Sequence, residues 1–261
     1  MKNRLVCYAV FTFFILSVSV QAKESSLKII TIATGEWEPY ISKNLKEYGV
    51  IPHIIRKAFS MNGINVKFQF VPWKRALVFS QRGKVSGVAV WGGYLSWAKD
   101  HYGSDPVMSG ELRLWTLNDS PIINWRNPKE IEGMTLGVIR GEKGGEYLDN
   151  LINAQKLKIK EITHEEQKFK MLLAKRLDLT ILNLDSGLVT IRKSIPEKDW
   201  NKIVPHPDPI RVSHYRVLFA RQNPESLSLL EEFNDGLYKL KQQGVVDKML
   251  KESMNGSYKP N

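Results

Sequence analysis

The sequence predicts an α/β fold with two lobes, each a mostly parallel sheet flanked by helices. Apolar strands alternate with amphipathic helices, which is typical of parallel strands joined by helical connections. This alternation occurs twice, on either side of a stretch rich in turn residues at 118–128, and two similar blocks imply two lobes. With 261 residues, 43% of them hydrophobic and 25% charged, the chain is long and apolar enough to bury a large core.

The first block contains three strands and two helices. Its strands are apolar or alternate between apolar and polar residues, and each helix has apolar residues at helical spacing and ends on a glycine. The strands are expected at 27–34 (LKIITIAT), 64–71 (INVKFQFV) and 86–91 (SGVAVW), and the helices at 49–63 and 73–83.

The second block has the same order of elements and is followed by a C-terminal segment. Its strands are expected at 134–140 (MTLGVIR), 157–162 (LKIKEI) and 178–184 (DLTILNL), with helices opening at 141 and spanning 164–176. One further strand at 214–221 (HYRVLFAR) precedes two helices at 224–244 and 245–253.

The N-terminus has the features of an export signal. Residues 1–22, MKNRLVCYAVFTFFILSVSVQA, combine a basic start, an apolar run from about Leu5 to Val20 and a small-residue ending at Ala22. This pattern predicts a signal peptide cleaved after Ala22 and a soluble exported product. An uncleaved membrane anchor is the alternative, because the apolar run is not far short of the ~20 residues that span a bilayer.

Composition and charge disfavour several functional classes. Cys7, the single cysteine, lies in the signal, so the mature chain is expected to have no disulfide, thiolate metal site or cysteine nucleophile. The net charge of +11 falls to +9 once the signal leaves, with 36 basic against 27 acidic residues. Basic and acidic residues are interspersed, so a solvated surface is favoured over nucleic-acid binding. The five histidines show no metal-ligand spacing, and the sequence contains no Gly-x-Ser-x-Gly motif of the kind found in hydrolases. No cofactor is expected.

The order of several segments resembles a known family. GEWEPYIS, GVIPHIIRKAF, FVPWKRALVFSQRGKVSGVAVW, SDPV, IEGMTLGVIRGEKGGEYL, AKRLDLTILNLDSG and FNDGLYKLKQQGVVDKML resemble the bacterial extracellular solute-binding proteins of family 3, the polar amino-acid-binding type. The resemblance implies a periplasmic-binding-protein fold whose lobes, 27–110 plus 212–255 and 111–211, are joined by two crossovers. It also implies a monomeric periplasmic protein that encloses a small ligand and serves an ABC permease or a membrane sensor.

Three tryptophans lie where strands of the first lobe end. Trp37 follows the first predicted strand, Trp73 follows the second and Trp91 ends the third. Ligands of open α/β sheets bind beyond the carboxyl ends of the strands, so these rings are expected at the edge of a cleft. The resemblance implies that residues at the positions of Trp37 and Trp73 enclose the side chain of the ligand. The alternative is that the tryptophans fill the core of the lobe.

The second lobe offers polar groups at a glycine-rich turn. GEKGGEYL at 141–148 opens a helix whose free N–H groups suit an anion, although an ordinary helix start is the alternative. The resemblance implies ligand contacts at Glu142 and Lys143.

Two positions depart from the family pattern. Trp97 stands where the resemblance implies a carboxylate-binding arginine, and Asn183 stands where it implies an ammonium-binding aspartate. Asp185, two residues on, is expected on the same strand face as Asn183. Either Arg75, Lys99 and Asp185 take over these roles, or the ligand is not an α-amino acid. Arg75 is equally compatible with a structural salt bridge.

A binding role without catalysis is therefore expected. The favoured ligand is a small polar or aromatic-containing molecule, with an aromatic, cyclic or cationic part for the tryptophans. The alternative is an enzyme on the same fold, similar to the periplasmic cyclohexadienyl dehydratases, with Glu36 and Glu38 as an acid/base pair beside Trp37. Fold alone does not separate these functions.

Overall fold

The computed structural model describes residues 28–92, 97–120, 122–139 and 144–260. The strands are β1 Lys28–Thr34, β2 Ile64–Phe70, β3 Gly87–Trp91, β4 His101–Gly103, β5 Met108–Leu117, β6 Thr135–Ile139, β7 Lys158–Ile162, β8 Leu179–Asn183, β9 Ile203–Pro205 and β10 Arg211–Ala220. The α-helices are α1 Val50–Ser60, α2 Trp73–Gln81, α3 Pro128–Ile131, α4 Glu146–Asn153, α5 Glu165–Leu173, α6 Leu184–Ser194, α7 Ser226–Gln242 and α8 Val245–Met254. Short 3-10 helices span Lys46–Tyr48 and Glu197–Lys202.

The strands form two largely parallel groups joined through antiparallel strands. Hydrogen bonding follows the order β2-β1-β3-β10-β5-β8-β6-β7, with β4 beside β10 and β9 beside β5. β1 pairs in parallel with β2 and β3, and β6 pairs in parallel with β7 and β8. The α/β architecture with two lobes is thus as predicted.

The two crossovers between the lobes are the long strands β5 and β10. Their first halves pair antiparallel, from Met108 opposite Tyr215 to Leu112 opposite Arg211. Beyond this ribbon, β5 continues along β8 and β9 on one side, while β10 continues along β3 and β4 on the other. Both connections therefore pass through the same ribbon of strands.

Each side of this ribbon has its own hydrophobic core. In the first lobe, α1 and α7 bury residues such as Ile55, Phe59 and Phe233 against the strands. In the second lobe, one cluster includes Leu136 and Ile181, and a second is built around Trp115 and Phe169. The helices α1 and α7 approach so closely that a Cβ on Gly236 would lie 2.0 Å from the Ala58 carbonyl oxygen.

The structure corrects the prediction at several places, and the helix expected to open at 141 begins at Glu146. The strand expected at 178–184 ends at Asn183, because α6 starts at Leu184. The last strand begins at Arg211 rather than 214, since its first residues pair with β5. The strands β4, β5 and β9 and the helices α3 and α6 were not predicted. The expected signal peptide, residues 1–22, lies outside the described residues, and among the described helices none is long and apolar enough to span a membrane.

Candidate functional site

The three tryptophans predicted for the cleft all lie near strand ends of the first lobe. Trp37 follows β1, Trp73 begins α2 directly after β2, and Trp91 is the last residue of β3. Each is half-buried, and each packs against a hydrophobic cluster of the lobe. They therefore contribute to the core of the lobe and retain some exposed surface, and their contact with a ligand stays a prediction.

The indole of Trp73 packs closely against Gly35, the residue that follows β1. A Cβ on Gly35 would come within 2.5 Å of the indole, and the ring of Trp91 stands edge-on to that of Trp73 with centroids 5.9 Å apart. The indole Nε1 of Trp91 is buried and has no hydrogen-bond partner among the described residues. Glycine is needed at position 35 because the indole occupies the space of a side chain.

A groove of about 390 Å³ opens beside Trp73. The aromatic residues lining it are Phe70 and Trp73, and its charged residues are Glu36 and Lys43. The Lys43 ammonium lies 5.6 Å from the centroid of the Phe70 ring, and the Lys43 backbone N–H donates to a Glu36 carboxylate oxygen at 3.3 Å. This groove offers aromatic surface with one group of each charge.

Trp37 is packed between two tyrosines. Its ring centroid lies 4.7 Å from that of Tyr40 and 4.5 Å from that of Tyr215, both in tilted arrangements. Tyr215 comes from β10, and it packs close to Gly92 and Gly110, where an added Cβ would lie 3.0 Å and 3.1 Å from its ring. Close backbone approach at these two glycines fixes Tyr215 between the lobes.

Asn183 and Asp185 of the second lobe were expected on one strand face, but the structure places them in different elements. Asn183 ends β8, whereas Asp185 lies in the first turn of α6, because the chain turns into a helix at Leu184. The Asn183 side-chain amide donates to the Tyr215 hydroxyl at 2.9 Å. The Asp185 carboxylate accepts a hydrogen bond from the Tyr40 hydroxyl.

Burial and hydrogen bonding keep the Tyr40 hydroxyl protonated. Tyr40 is 3% exposed, and the pKa of its hydroxyl is raised well above the ordinary value, first by burial and then by the hydrogen bond and charge of Asp185. A neutral hydroxyl donating to a carboxylate makes a stronger hydrogen bond than a neutral pair does. The first lobe therefore contacts the second through a hydrogen bond from the Tyr40 hydroxyl, which stays protonated, to the Asp185 carboxylate.

Other predicted residues lie elsewhere. Arg75 is exposed near the start of α2. Lys99 lies near Gln81 at the other end of this nine-residue helix, and Gln81 is about 12 Å along the helix axis from Trp73. Trp97 is 5% exposed and packs against Gly103, so it is part of the interior. Glu142 and Lys143 lie outside the described residues.

The acidic residues beside Trp37 have separate partners. The Glu38 carboxylate pairs with Lys193 of α6, whereas that of Glu36 accepts from the Lys43 backbone. In the described part of the chain, no group of three or more His, Cys, Asp or Glu residues is placed to hold a metal ion. The arrangement brings hydrogen-bonding groups and aromatic faces together between the lobes.

Tyr40 and Tyr215 were not predicted to lie between the lobes. Tyr40 lies three residues after Trp37, and Tyr215 lies in the predicted last strand. The strand β5, which pairs with β10, was also missed, although ELRLWTL at 111–117 contains a polar–apolar alternation that could have indicated it. Pairing these two strands would have placed Tyr215 between the lobes.

No protein-family model and no curated protein sequence matches the chain. Solved structures resemble it over most of its length. A histidine kinase sensor domain with similarity to periplasmic binding proteins has a TM-score of 0.68 at 18% identity, covering 89% of this chain and 98% of that one. The GluR0 ligand-binding core from Nostoc punctiforme in complex with L-glutamate has a TM-score of 0.66 at 17% identity, covering 85% and 98%.

A third structure is the substrate-binding protein of an amino acid ABC transporter. Its TM-score is 0.64 at 19% identity, and the match covers 86% of this chain and 98% of that one. Identities this low establish the fold but not the ligand. The chain has the two-lobed fold of the periplasmic binding proteins, with two strands crossing between its lobes.

Proposed function

We propose that this protein is an exported solute-binding protein that holds a small organic ligand between its two lobes. The observation that carries this proposal is the meeting of aromatic side chains at the strand ends of the first lobe with Asn183 and the start of α6 in the second, beside the crossing strands. Such a cleft provides rigid apolar faces and a few polar groups that fix orientation, which are the features of small-molecule sites.

The expected ligand has an aromatic, cyclic or cationic part and a polar end. Trp73 and Phe70 offer aromatic faces, and an indole face also attracts cations. A standard α-amino acid fits poorly, because Trp97 is interior and the Asp185 carboxylate already accepts from Tyr40. An unmatched buried charge typically costs a few kcal/mol.

Export and partners form part of the same proposal. Cleavage after Ala22 would release a periplasmic protein that begins at Lys23, and intact-mass measurement of the purified protein tests this start. The comparisons include a substrate-binding protein of an ABC transporter and a sensor domain. Because a lobed binder changes shape on closure, a permease or a membrane sensor could read its closed form.

Ligand identification begins with native mass spectrometry of the purified protein, which would reveal a ligand retained between the lobes. Thermal unfolding is then measured with each of the twenty standard amino acids at about 1 mM and with a panel of aromatic and cyclic amines and carboxylates. A true ligand at ~100 times its dissociation constant adds about 2.7 kcal/mol of stability. We expect this from a member of the panel and little change with the amino acids.

Site-directed variants then locate the ligand. Trp73→Ala should weaken binding of the ligand by about 1–3 kcal/mol, whereas Tyr238→Ala, at an exposed position on α7, should not. The ligand should be recovered chemically unchanged after incubation, as a binder requires. Equal affinity in both variants, or strong stabilisation by a common amino acid such as glutamine, would contradict the proposed site or ligand class.

A further inference from the structure

Several contacts join the segment after Trp37 to α6 in the other lobe, two of them at the first turn of this helix and one at its last turn. The Tyr40 hydroxyl donates to the Asp185 carboxylate, and the Ser186 hydroxyl donates to the Glu38 carbonyl oxygen at 3.1 Å. The Lys193 ammonium pairs with the Glu38 carboxylate. We call these five residues, Glu38, Tyr40, Asp185, Ser186 and Lys193, the latch.

Each half of the latch is fixed in its own lobe. Tyr40 belongs to the hydrophobic core of the first lobe and is 3% exposed. Ser186, 2% exposed, lies in the first turn of α6, and the neighbouring Gly187 packs so tightly on Trp115 that an added Cβ would lie 2.2 Å from its ring. Neither half can follow the other when the lobes separate, so these contacts exist only while the lobes are together.

A second tyrosine supports the same closed arrangement. Tyr215 of the crossing strand β10 packs at a tilt against Trp37 of the first lobe and accepts a hydrogen bond from Asn183 of the second. Two groups predicted to contact a ligand, Asn183 and Asp185, therefore have tyrosine hydroxyls of the chain itself as partners. These two polar side chains are satisfied without a ligand.

The contacts of the latch differ in strength. The pair between Lys193 and Glu38 has side chains 60% and 35% exposed, and pairs in such surroundings contribute little. The bond from Tyr40 to Asp185 joins a buried neutral donor to a carboxylate, a type of bond that contributes more. Tyr40 and Asp185 therefore dominate the latch.

We propose that the latch holds the two lobes closed in the absence of a ligand, with Tyr40 as its principal positioning residue. A ligand then enters through a minor open form. The apparent affinity for the ligand is reduced in proportion to the open fraction, so weakening the latch makes binding tighter. This consequence for affinity rests on the proposed binding function, whereas the closed state of the free protein does not.

The test measures the distance between the lobes in the full chain without any added ligand. Spin labels are placed at two exposed positions on the outer strands, Lys67→Cys on β2 and Lys160→Cys on β7, in a Cys7→Ser background. Double electron–electron resonance then gives the distribution of distances. Tyr40→Phe, which keeps the ring and removes the hydroxyl, is compared with the parent and with the matched control Tyr238→Phe on α7.

We expect one narrow, short-distance population in the parent and in the control. Tyr40→Phe should lower the closed-to-open ratio roughly 10-fold or more and so add a longer-distance population. Asp185→Asn, which retains an acceptor oxygen but loses the charge, should give a smaller shift. Thermal unfolding of each variant establishes whether it is folded. If Tyr40→Phe does not fold, the comparison of Asp185→Asn with the parent provides the test.

Two outcomes would overturn the latch. A broad distribution in the parent would mean that the free protein is open, and an unchanged narrow distribution in both Tyr40→Phe and Asp185→Asn would mean that other contacts hold it closed. Native mass spectrometry establishes that the labelled protein retains no ligand, so neither outcome bears on the binding function. A failed ligand screen, in turn, leaves the distance measurement unaffected.

Discussion

Gly35→Ala should displace the indole of Trp73 from its position beside the groove. The new Cβ would lie 2.5 Å from Cε2 and 2.7 Å from both Cδ2 and Nε1 of that ring, whereas ordinary contact begins at 3.4 Å. Trp73 must therefore move by about 0.9 Å or rotate away from its favoured conformation. Trp91, which stands edge-on to Trp73, has to adjust with it.

The cost of this overpacking is expected to be about 1–3 kcal/mol of unfolding free energy. For a chain of this length, each kcal/mol lowers the melting temperature by roughly 2–4 °C. Chemical unfolding gives the free-energy change, and near-ultraviolet circular dichroism reports the disturbed pair of indoles. Any ligand that is bound against Trp73 should also bind more weakly.

A double-mutant cycle isolates the indole as the obstacle. In a Trp73→Ala background the three nearest atoms are gone, so Gly35→Ala should there cost less than about 0.5 kcal/mol. An equal cost in both backgrounds would show that something other than the Trp73 ring excludes a side chain at position 35. Unchanged stability in the single variant would refute the close packing itself.

Trp37→Ala should lower the free energy of unfolding by about 2–4 kcal/mol, because it removes a half-buried indole and its contacts with Tyr40 and Tyr215 at 4.7 and 4.5 Å. Trp37→Phe should lose less than half of that, and equal losses in urea unfolding would argue against ring packing. Stability should also fall as pH drops below about 6.5, since burial lowers the pKa of His101 and the unfolded chain takes up a proton that the folded ring resists. His101→Gln should reduce this dependence on pH, measured as the urea midpoint between about pH 7.5 and 5. Burial also lowers the pKa of His53, so a residual slope of the same sign should remain. An unaltered slope would contradict the assignment to His101.

The local pattern of the sequence determined most elements of the fold. Strands β1, β2, β3, β6 and β7 and helices α1, α2, α5, α7 and α8 were predicted within a few residues, because apolar periodicity and closing glycines act over short distances. The positions of Trp37, Trp73 and Trp91 at strand ends followed from the same pattern. Their place at the edge of a parallel sheet was therefore accessible without coordinates.

The partners of these residues were decided by tertiary structure. Asp185 was assigned to a strand face because alternation was continued two residues too far, whereas the chain enters α6 at Leu184. Its partner Tyr40 is 145 residues away, and the partner of Asn183, Tyr215, is 32 residues away on a crossing strand. Periodicity reports which face of an element is apolar, but contacts between distant segments depend on how the lobes pack. The sequence by itself determined the strand ends and their tryptophans, and only the packed lobes brought Tyr40 and Tyr215 to the polar groups across the cleft.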